Sequence, residues 1–325
     1  MANKSTNKRR PAPARPPARG ARPASARPPA RARGGRPAGL FTWIAVGLVV
    51  LVVAALVIIK VATGSPTTGG KSAFSPISAA NLTDLTTVPA SVFNTVGVTS
   101  PIAQVSPPDA VKAQPPLTAT NSAGATVPEI VYVGAEYCPY CAAQRWATII
   151  ALSRFGTFSG LGNMSSYDKD VYPNTPTFTF IKAKYKSKYL VFKTDEEYTN
   201  YLNAAGTFYA PLQKPTKQES ELIAKYDTSK YIKDLSSSEA GSIPFIDFAN
   251  KFLVAGASYS PSTLAGSSRN DIAAGLSNAS SPVTQAIIAS ANYQSAAICS
   301  LTSDMPSSVC TSSGVKVAAS AMGLK

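Results

Sequence analysis

The longest uninterrupted apolar stretch of the chain lies near its amino terminus. It begins at Leu40, ends at Ile59, and contains twenty residues without a single charge. At about 1.5 Å of rise per residue, a helix of this length spans roughly 30 Å, the thickness of the hydrocarbon core of a bilayer. Trp43 and Lys60 stand near its two ends, as interfacial residues do. We therefore predict one transmembrane helix over residues 40–60.

The segment before this helix determines its predicted orientation. Residues 1–39 contain eleven Lys and Arg and no acidic residue, and they consist mostly of Arg, Pro, Ala and Gly. Such a composition cannot form a core, so we expect a disordered tail that lies in the cytoplasm by the positive-inside rule. A cleaved secretory signal is the alternative, but the apolar run is longer than usual and no clear Ala-x-Ala site follows.

Short apolar runs then mark the elements of a mixed α/β domain. Residues 129–133 are rich in β-branched and aromatic side chains and follow a proline, which predicts a buried strand. Residues 142–152 contain good helix formers and an apolar side that includes Trp146. Gly156 is suited to end this helix. The order strand, turn, helix is typical of an α/β fold.

Two further patterns lie in the carboxyl-terminal third. Residues 245–248 and 251–254 are mostly apolar, apart from Asp247 and Lys251. Ala249 and Asn250 separate them, and the pattern predicts a β-hairpin that Pro244 precedes. Residues 284–300, rich in Ala, Ile and Gln, predict a long helix.

The region between the first helix and Pro244 is unusually long. The alternation at residues 177–181 predicts a strand. Residues 217–226 predict a helix, because Thr216 and Glu219 have the spacing of a capping box. We interpret residues 195–197, Asp-Glu-Glu, as a solvated helix start. The region is either a lid beside the site or, as we favour, an elaboration of the sheet.

The remaining boundaries follow from composition. Residues 61–127 begin with a Gly, Ser and Thr-rich linker and continue with many prolines, so we expect a linker and lead-in segment that packs on the domain. A helix is expected to start near Pro89. The domain itself is predicted over residues 128–325, outside the cytoplasm.

Charge and composition exclude several classes of function. The net charge of +14 comes mainly from the tail, since the rest of the chain has twenty Lys and Arg against seventeen Asp and Glu. No basic stripe is evident on the domain, so nucleic-acid binding is not expected. The chain has no histidine, which excludes Ser-His-Asp and Cys-His catalysis and His-containing zinc sites.

The four cysteines carry the candidate chemistry. Cys138 and Cys141 form a Cys-Pro-Tyr-Cys motif directly before the predicted helix. Cys138 would lie at the helix N-terminus, where the macrodipole favours the thiolate, which is the attacking species. Cys141, one turn on, can resolve a mixed disulfide. Pro139 suits the first turn because it lacks an N–H group.

The run from Gly134 to Cys141 resembles the active-site segment of the thioredoxin superfamily. Ile243 and Pro244 before the hairpin resemble its cis-proline and last two strands. The resemblance covers about residues 128–300 and implies a thioredoxin-like fold with a long insertion, preceded by the transmembrane helix. It also implies a substrate groove formed by four residues, Pro139, Tyr140, Ile243 and Pro244.

A narrower resemblance extends over residues 131–155. Their sequence is similar to that of an uncharacterised actinobacterial and archaeal family of membrane-anchored thioredoxin-like proteins, described as a domain of unknown function. Two residues depart from the superfamily pattern. Tyr132 stands where thioredoxins carry a buried Asp used for proton transfer, and Glu136 places a negative charge near the site, which should oppose thiolate formation. The direction of electron flow stays open.

The second cysteine pair has three interpretations. Cys299 and Cys310, eleven residues apart, are predicted to form a structural disulfide, which would stabilise the fold by about 3 kcal/mol in the chain-entropy model. A second redox pair that relays electrons, or a zinc site of all four cysteines, are the alternatives. An even number of cysteines on one side of the predicted membrane segment fits an oxidising compartment.

Together these features predict a membrane-anchored, extracytoplasmic thiol–disulfide oxidoreductase without metal or cofactor. Cys138 and Cys141 would be its catalytic residues. Its substrates would be cysteine-containing exported proteins, and a redox partner in the membrane would reset it. The alternative is a non-catalytic scaffold on the same fold, in which both cysteine pairs are structural disulfides.

Overall fold

The computed structural model describes residues 74–236 and 238–324. The predicted cytoplasmic tail and the predicted transmembrane segment, residues 1–39 and 40–60, lie outside the described residues. Among the residues described, no helix is both long and apolar enough to cross a membrane. The described residues belong to one structural unit.

Thirteen strands and eight α-helices are present in the part of the chain that the structure describes. The strands are β1 Ser75–Pro76, β2 Asp109–Ala110, β3 Thr118–Thr120, β4 Thr126–Gly134, β5 Thr157–Ser159, β6 Gly162–Ser165, β7 Pro176–Thr179, β8 Lys184–Lys186, β9 Val191–Glu196, β10 Tyr198–Leu202, β11 Tyr209–Pro211, β12 Phe245–Phe248 and β13 Phe252–Ala255. The α-helices are α1 Ala79–Thr86, α2 Ala90–Val96, α3 Pro139–Ser153, α4 Lys217–Tyr226, α5 Arg269–Gly275, α6 Pro282–Leu301, α7 Ser307–Cys310 and α8 Ser313–Ala321. A 3₁₀-helix spans Pro261–Leu264.

A six-stranded mixed sheet forms the centre of the fold. Its strands run in the order β2, β13, β12, β4 and β3, and β9 also pairs with β4, in parallel. The predicted strand at residues 129–133 lies within β4, whose residues 130–134 are all buried. A strand covered on both faces must be apolar throughout, which explains its continuous run of Val, Ile and Tyr. The mixed α/β class predicted from the sequence is therefore confirmed.

The predicted hairpin is confirmed as β12 and β13. Phe245 pairs with Ala255 at its open end, and Phe248 with Phe252 beside the turn. Ala249 and Asn250 both adopt positive φ angles, 55° and 59°, as the two central residues of a tight hairpin turn require. The backbone N–H of Lys251 donates to the carbonyl of Phe248 at 3.0 Å, which closes the turn. The N–H of Asn250 also donates to a carboxylate oxygen of Asp247 at 2.6 Å.

Helix α3 is enclosed on more sides than its sequence suggests. We predicted one apolar side, but every residue from position 141 to position 152 is buried. The helix packs against α6, β7 and α1. The polar side chains on its other faces are therefore also buried, and Gln144, Arg145 and Thr148 each make at least one hydrogen bond there. Gln144 accepts the N–H of Ser258, and Thr148 donates to a carbonyl of its own helix.

The lead-in segment packs on the domain and also extends its sheet. β3 pairs with β4 and β2 pairs with β13. Leu85 of α1 and Phe93 of α2 lie in the main hydrophobic core. Helix α2 begins directly after Pro89, as expected. The lead-in is therefore built into the same core as the residues that follow it.

The long region between α3 and β12 contributes both a central strand and peripheral elements. The prediction of a solvated helix start at residues 195–197 is wrong, because Asp195 and Glu196 end β9 and are buried. Three consecutive acidic residues suggest solvent exposure, whereas β9 pairs with β4 inside the sheet. Helix α4 has the predicted capping box, in which Thr216 and Glu219 each accept the other's backbone N–H.

The long predicted helix near the carboxyl terminus is α6, which spans the expected residues. Cys299 near its end is bonded to Cys310, with Cα atoms 5.6 Å apart. The bond links α6 to α7, and both cysteines are buried in the main core. Because these sulfurs are bonded to each other, they are not free to join Cys138 and Cys141 in a zinc site.

Candidate functional site

Cys138 occupies the N-cap of α3. It follows the short turn that connects the end of β4 to this helix. Its backbone is extended, with φ −74° and ψ 121°, and its Sγ accepts the N–H of Cys141 at 3.2 Å. Pro139 takes the first helical position, where no N–H is needed. The sulfur of Cys138 is thus held at the end of the helix that favours negative charge.

The two thiols lie in different environments and have different acidities. Burial alone would raise the pKa of Cys138, but hydrogen bonds from the Cys141 thiol and backbone N–H, together with the charge of Arg145, outweigh it. The pKa of Cys138 is therefore lowered. Cys141 is fully buried. Burial, together with the hydrogen bond between its thiol and Cys138, raises its pKa well above the ordinary value. Cys138 is therefore the more acidic of the two thiols, and the thiolate is the form of cysteine that attacks.

A buried ion pair lies beneath the motif. Arg145 donates from Nε to one Glu196 oxygen at 2.9 Å and from Nη2 to the other at 2.5 Å. Its Nη2 also donates to the carbonyl of Ala135 at 2.7 Å, and both charged side chains are fully buried. A bidentate contact of this kind fixes the guanidinium. Arg145 is not among the residues predicted for the site, although it lies four residues after Cys141 in a run otherwise poor in charge.

The register of the central sheet brings Glu196 to this position. β9 runs parallel to β4, and Glu196 pairs with Gly134. Gly134 lies four residues before Cys138 in the chain. The backbone N–H of Phe180 also donates to this carboxylate at 3.3 Å. Glu196 is 51 residues from Arg145 in the chain, so only the sheet pairing reveals the contact.

Tyr132, at the position where the resemblance implied an acidic group, is fully buried. Its ring packs edge-on to Phe180 at 5.0 Å, and the guanidinium of Arg145 lies 5.8 Å from its centroid. Burial raises its pKa well above 10. The phenol therefore stays neutral at physiological pH and does not replace a carboxylate as a proton acceptor.

Glu136 behaves differently from the expectation that it places a full negative charge beside the thiol. Its carboxyl group is buried and accepts a hydrogen bond from Thr179 at 2.7 Å. Burial is the main cause that raises its pKa to about 7. Near neutral pH a large share of Glu136 is therefore uncharged, and its opposition to the Cys138 thiolate is correspondingly smaller.

Replacing Glu136 by glutamine should flatten the pH dependence of stability. Because the folded-state pKa of Glu136 lies above its ordinary 4.5, its contribution is fully present below that value and is lost as pH rises towards 7. Between pH 5 and pH 8, the free energy of unfolding of Glu136→Gln should decline by about 2 kcal/mol less than that of the wild type. Urea unfolding at both pH values measures this difference.

The matched control for this prediction is Glu221→Gln, on the exposed surface of α4. Its profile should run parallel to that of the wild type. Superimposable profiles for Glu136→Gln and the wild type would show that Glu136 has an ordinary pKa in the folded protein.

A groove of about 350 Å³ opens beside Cys138. Of the four predicted groove residues, Pro139, Tyr140 and Ile243 line it, whereas Pro244 is buried and does not. The carbonyl oxygen of Ile243 lies 3.7 Å from Sγ of Cys138, and the Ile243-Pro244 peptide bond is cis. Segments that are 105 residues apart in the chain therefore meet at the thiol.

The rest of the groove comes from residues that were not among the predicted groove residues. They are Tyr137, Asp170, Glu197, Gly241 and Ser242. The ring of Tyr137 stacks on Tyr209 of β11 with centroids 3.7 Å apart, and Tyr140 packs edge-on to Tyr172. The long region after α3 thus supplies part of the wall, in addition to its strand in the central sheet. No group of three or more metal-binding side chains lies together within the described residues.

Comparison with known proteins gives one match. A family model described as a domain of unknown function, DUF929, matches residues 116–300. This range extends from just before β3 to near the end of α6, and it contains the whole groove. No curated protein and no solved structure matches the chain.

Proposed function

The chain belongs to the DUF929 family, a domain of unknown function, and we propose that it is a membrane-anchored thiol–disulfide oxidoreductase. The observation that carries the proposal is the environment of Cys138: a thiol of lowered pKa at a helix N-cap, beside an open groove, with a second thiol one turn away. A low-pKa thiol reached from solvent is what attack on a disulfide requires. Cys138 as a residue is 5% exposed, and it lines the groove.

The reaction follows from the two unlike thiols. The Cys138 thiolate attacks one sulfur of a substrate disulfide, so an S–S bond forms to Cys138 and the other substrate sulfur leaves as a thiolate that takes up a proton. Cys141 then loses its proton and attacks Sγ of Cys138, which releases the second substrate thiol. The substrate gains two electrons and two protons, and Cys138 and Cys141 become a disulfide. The reverse sequence oxidises a dithiol substrate.

We also infer that residues 128–300 form a thioredoxin-like domain with a long insertion. Three features support this inference: the strand–motif–helix order, the parallel strand β9 beside β4, and the hairpin of β12 and β13 that follows Ile243. The carbonyl of Ile243, a residue that the resemblance places in the substrate groove, lies beside Cys138 and supports the same inference.

The setting proposed for this activity is the outer face of the cell membrane. Residues 40–59 would anchor the chain with its N-terminus in the cytoplasm and the domain outside. Substrates would be exported proteins that contain cysteine. A membrane redox partner would restore the starting state of Cys138 and Cys141, because each turnover changes their oxidation state.

The reduction potential of the Cys138 and Cys141 pair tests this proposal. We expect a value between about −120 and −270 mV, the range of enzymes that oxidise, isomerise or reduce protein disulfides. The full chain is equilibrated with a glutathione series, quenched with acid and alkylated, and the alkylated fraction of these two cysteines is measured by mass spectrometry. A value near about −120 mV would mean that the protein donates disulfides to its substrates, and a value near about −270 mV would mean that it reduces disulfides in them.

A pair that resists reduction well below about −300 mV would overturn the proposal. Cys138 and Cys141 would then be a structural disulfide, and the domain would be a scaffold without catalytic thiols. Cys299 and Cys310 serve as the internal reference in the same samples, because their bonded sulfurs lie buried in the core.

A further inference from the structure

Two carboxylates face the groove without a positive partner. Asp170 and Glu197 both line it, and no Lys or Arg does. In the described part of the chain neither carboxylate forms an ion pair. Asp170 accepts the N–H of Val171 at 2.6 Å, and the side chain of Glu197 accepts no hydrogen bond among those residues. The groove beside the reactive sulfur is thus negatively charged and uncompensated.

Backbone contacts hold both carboxylates in place relative to the motif. The N–H of Glu197 donates to the carbonyl of Gly134 at 2.8 Å. The N–H of Tyr167, at the start of the loop that carries Asp170, donates to the carbonyl of Tyr137 at 2.9 Å. The two acceptor carbonyls lie in residues 134–137, the short segment that leads into Cys138. The two charges are therefore positioned beside the thiol by the same short segment that positions the thiol itself.

Aromatic rings complete the groove. Tyr137 lines it with its ring stacked on Tyr209, and Tyr140 is 41% exposed at its edge. Aromatic faces attract ammonium and guanidinium groups, and their apolar surface packs on the methylene stem of a Lys or Arg side chain. Carboxylates and aromatic rings thus favour the same class of ligand group.

The environment of Glu197 favours a cation further. Burial, and then the charge of Glu219, raise the pKa of Glu197. A carboxylate that has lost hydration and lies near another acid gains more from an added positive charge than a fully solvated one does. The groove is also open to solvent, which suits a segment of polypeptide chain lying across the surface.

We propose that this groove selects substrate segments in which a lysine or arginine lies within a few residues of the reactive cysteine. The inference rests on the proposed thiol–disulfide exchange and names its substrate class. Electrostatic complementarity of this kind acts mainly on the rate of productive encounter. It therefore predicts a preference among substrates in the rate of the first attack on Cys138.

Matched peptides test the preference. Three peptides differ only in two residues flanking a single cysteine, which are Lys, Gln or Glu, and each cysteine carries 2-mercaptoethanol as a neutral mixed disulfide. The reduced full chain is mixed with each, quenched with acid, and the loss of the Cys138 thiol is followed by mass spectrometry. At low ionic strength the Lys peptide should react about tenfold faster than the Glu peptide, and this ratio should shrink in 0.5 M NaCl.

Substitution assigns the effect to the groove. In the Asp170→Asn/Glu197→Gln variant the Lys-to-Glu ratio should fall close to one. The control variant, Asp168→Asn/Glu221→Gln, removes the same charge from exposed positions outside the groove and should keep the wild-type ratio. Equal rates for the Lys and Glu peptides with the wild type, or a ratio that persists in the groove variant, would overturn the proposal.

A small neutral disulfide separates this outcome from failure of the proposed function. If 2-hydroxyethyl disulfide oxidises Cys138 while the peptide ratio is close to one, only the substrate preference is wrong. If neither the small disulfide nor any peptide reacts with Cys138, the exchange activity itself is absent, and the preference is overturned with it.

Discussion

Replacing Cys138 by serine should abolish thiol–disulfide exchange, with the rate falling by roughly 1,000-fold or more, as the loss of a catalytic nucleophile does. Cys141 cannot substitute for it, because it is fully buried and its pKa is raised. Replacing Cys141 by serine should have a different result. The first attack by Cys138 should proceed, and the reaction should stop at a mixed disulfide.

The two variants are distinguished by their products with oxidised glutathione. Cys141→Ser should gain the mass of one glutathione on Cys138, and Cys138→Ser should gain none. In Cys141→Ser the rate of alkylation by iodoacetamide should also rise with pH around a midpoint below about 8.5, the ordinary thiol pKa. In Cys141→Ala, which has no side-chain donor at this position, the midpoint should lie above the wild-type value, since Cys141 donates a hydrogen bond that lowers the pKa of Cys138.

The second cysteine pair provides the control. The double variant Cys299→Ser/Cys310→Ser should retain exchange at Cys138. In the wild type these two sulfurs are bonded to each other and link α6 to α7 in the core. Loss of exchange in this variant, with its fold intact by circular dichroism, would favour the electron relay over the structural disulfide. A Cys141→Ser variant that gains no glutathione would count against Cys138 as the attacking thiol.

Replacing Arg145 by methionine should destabilise the domain by about 3–5 kcal/mol, because it leaves the fully buried Glu196 without its ionic partner. The same change should raise the pKa of Cys138, since the positive charge of Arg145 favours the thiolate. Urea unfolding measures the first effect, and the pH dependence of iodoacetamide alkylation measures the second. A role confined to packing would change stability and leave the pKa of Cys138 where it is.

Two further variants keep this prediction open to test. Arg145→Met/Glu196→Met removes both charges and should be more stable than Arg145→Met alone, since no buried charge remains unpaired. Arg145→Lys retains the positive charge but loses the bidentate contact with Glu196. It replaces Arg145→Met as the test variant if the methionine variant does not fold. Lys217→Met breaks the exposed pair with Glu221 and should cost less than about 1 kcal/mol. Equal costs for Arg145→Met and Lys217→Met would show that the buried pair contributes little.

The groove differs from the motif in how far the sequence could reveal it. The motif is four consecutive residues, and its chemistry follows from a helix start directly after Cys138. Asp170 lies in a loop and belongs to no recognisable pattern, whereas Glu197 lies between β9 and β10 and belongs to the Asp-Glu-Glu run that the sequence suggests is solvated. A candidate could have been found in the unusual density of tyrosine and acid between residues 167 and 209. Which of these side chains reach Cys138 depends on the loop contacts alone.

The sequence by itself determined the local elements of this protein. The strand within β4, helix α3 with Cys138 at its start, the hairpin of β12 and β13, and the capping box of α4 each follow from neighbouring residues. Hydrophobic period, cap residues and turn residues act over a few positions, so they can be recognised in a short window.

Only the tertiary structure decided which polar residues are buried and what they contact. Asp195 and Glu196 look solvated in the sequence, yet they end a strand paired with β4, and Glu196 binds Arg145 across 51 residues. A charge is stable in the interior only when a distant segment supplies its partner. The sequence shows the charge but not the partner. It therefore revealed the candidate cysteines, whereas the ion pair beneath them and the acidic groove beside them became visible only in the fold.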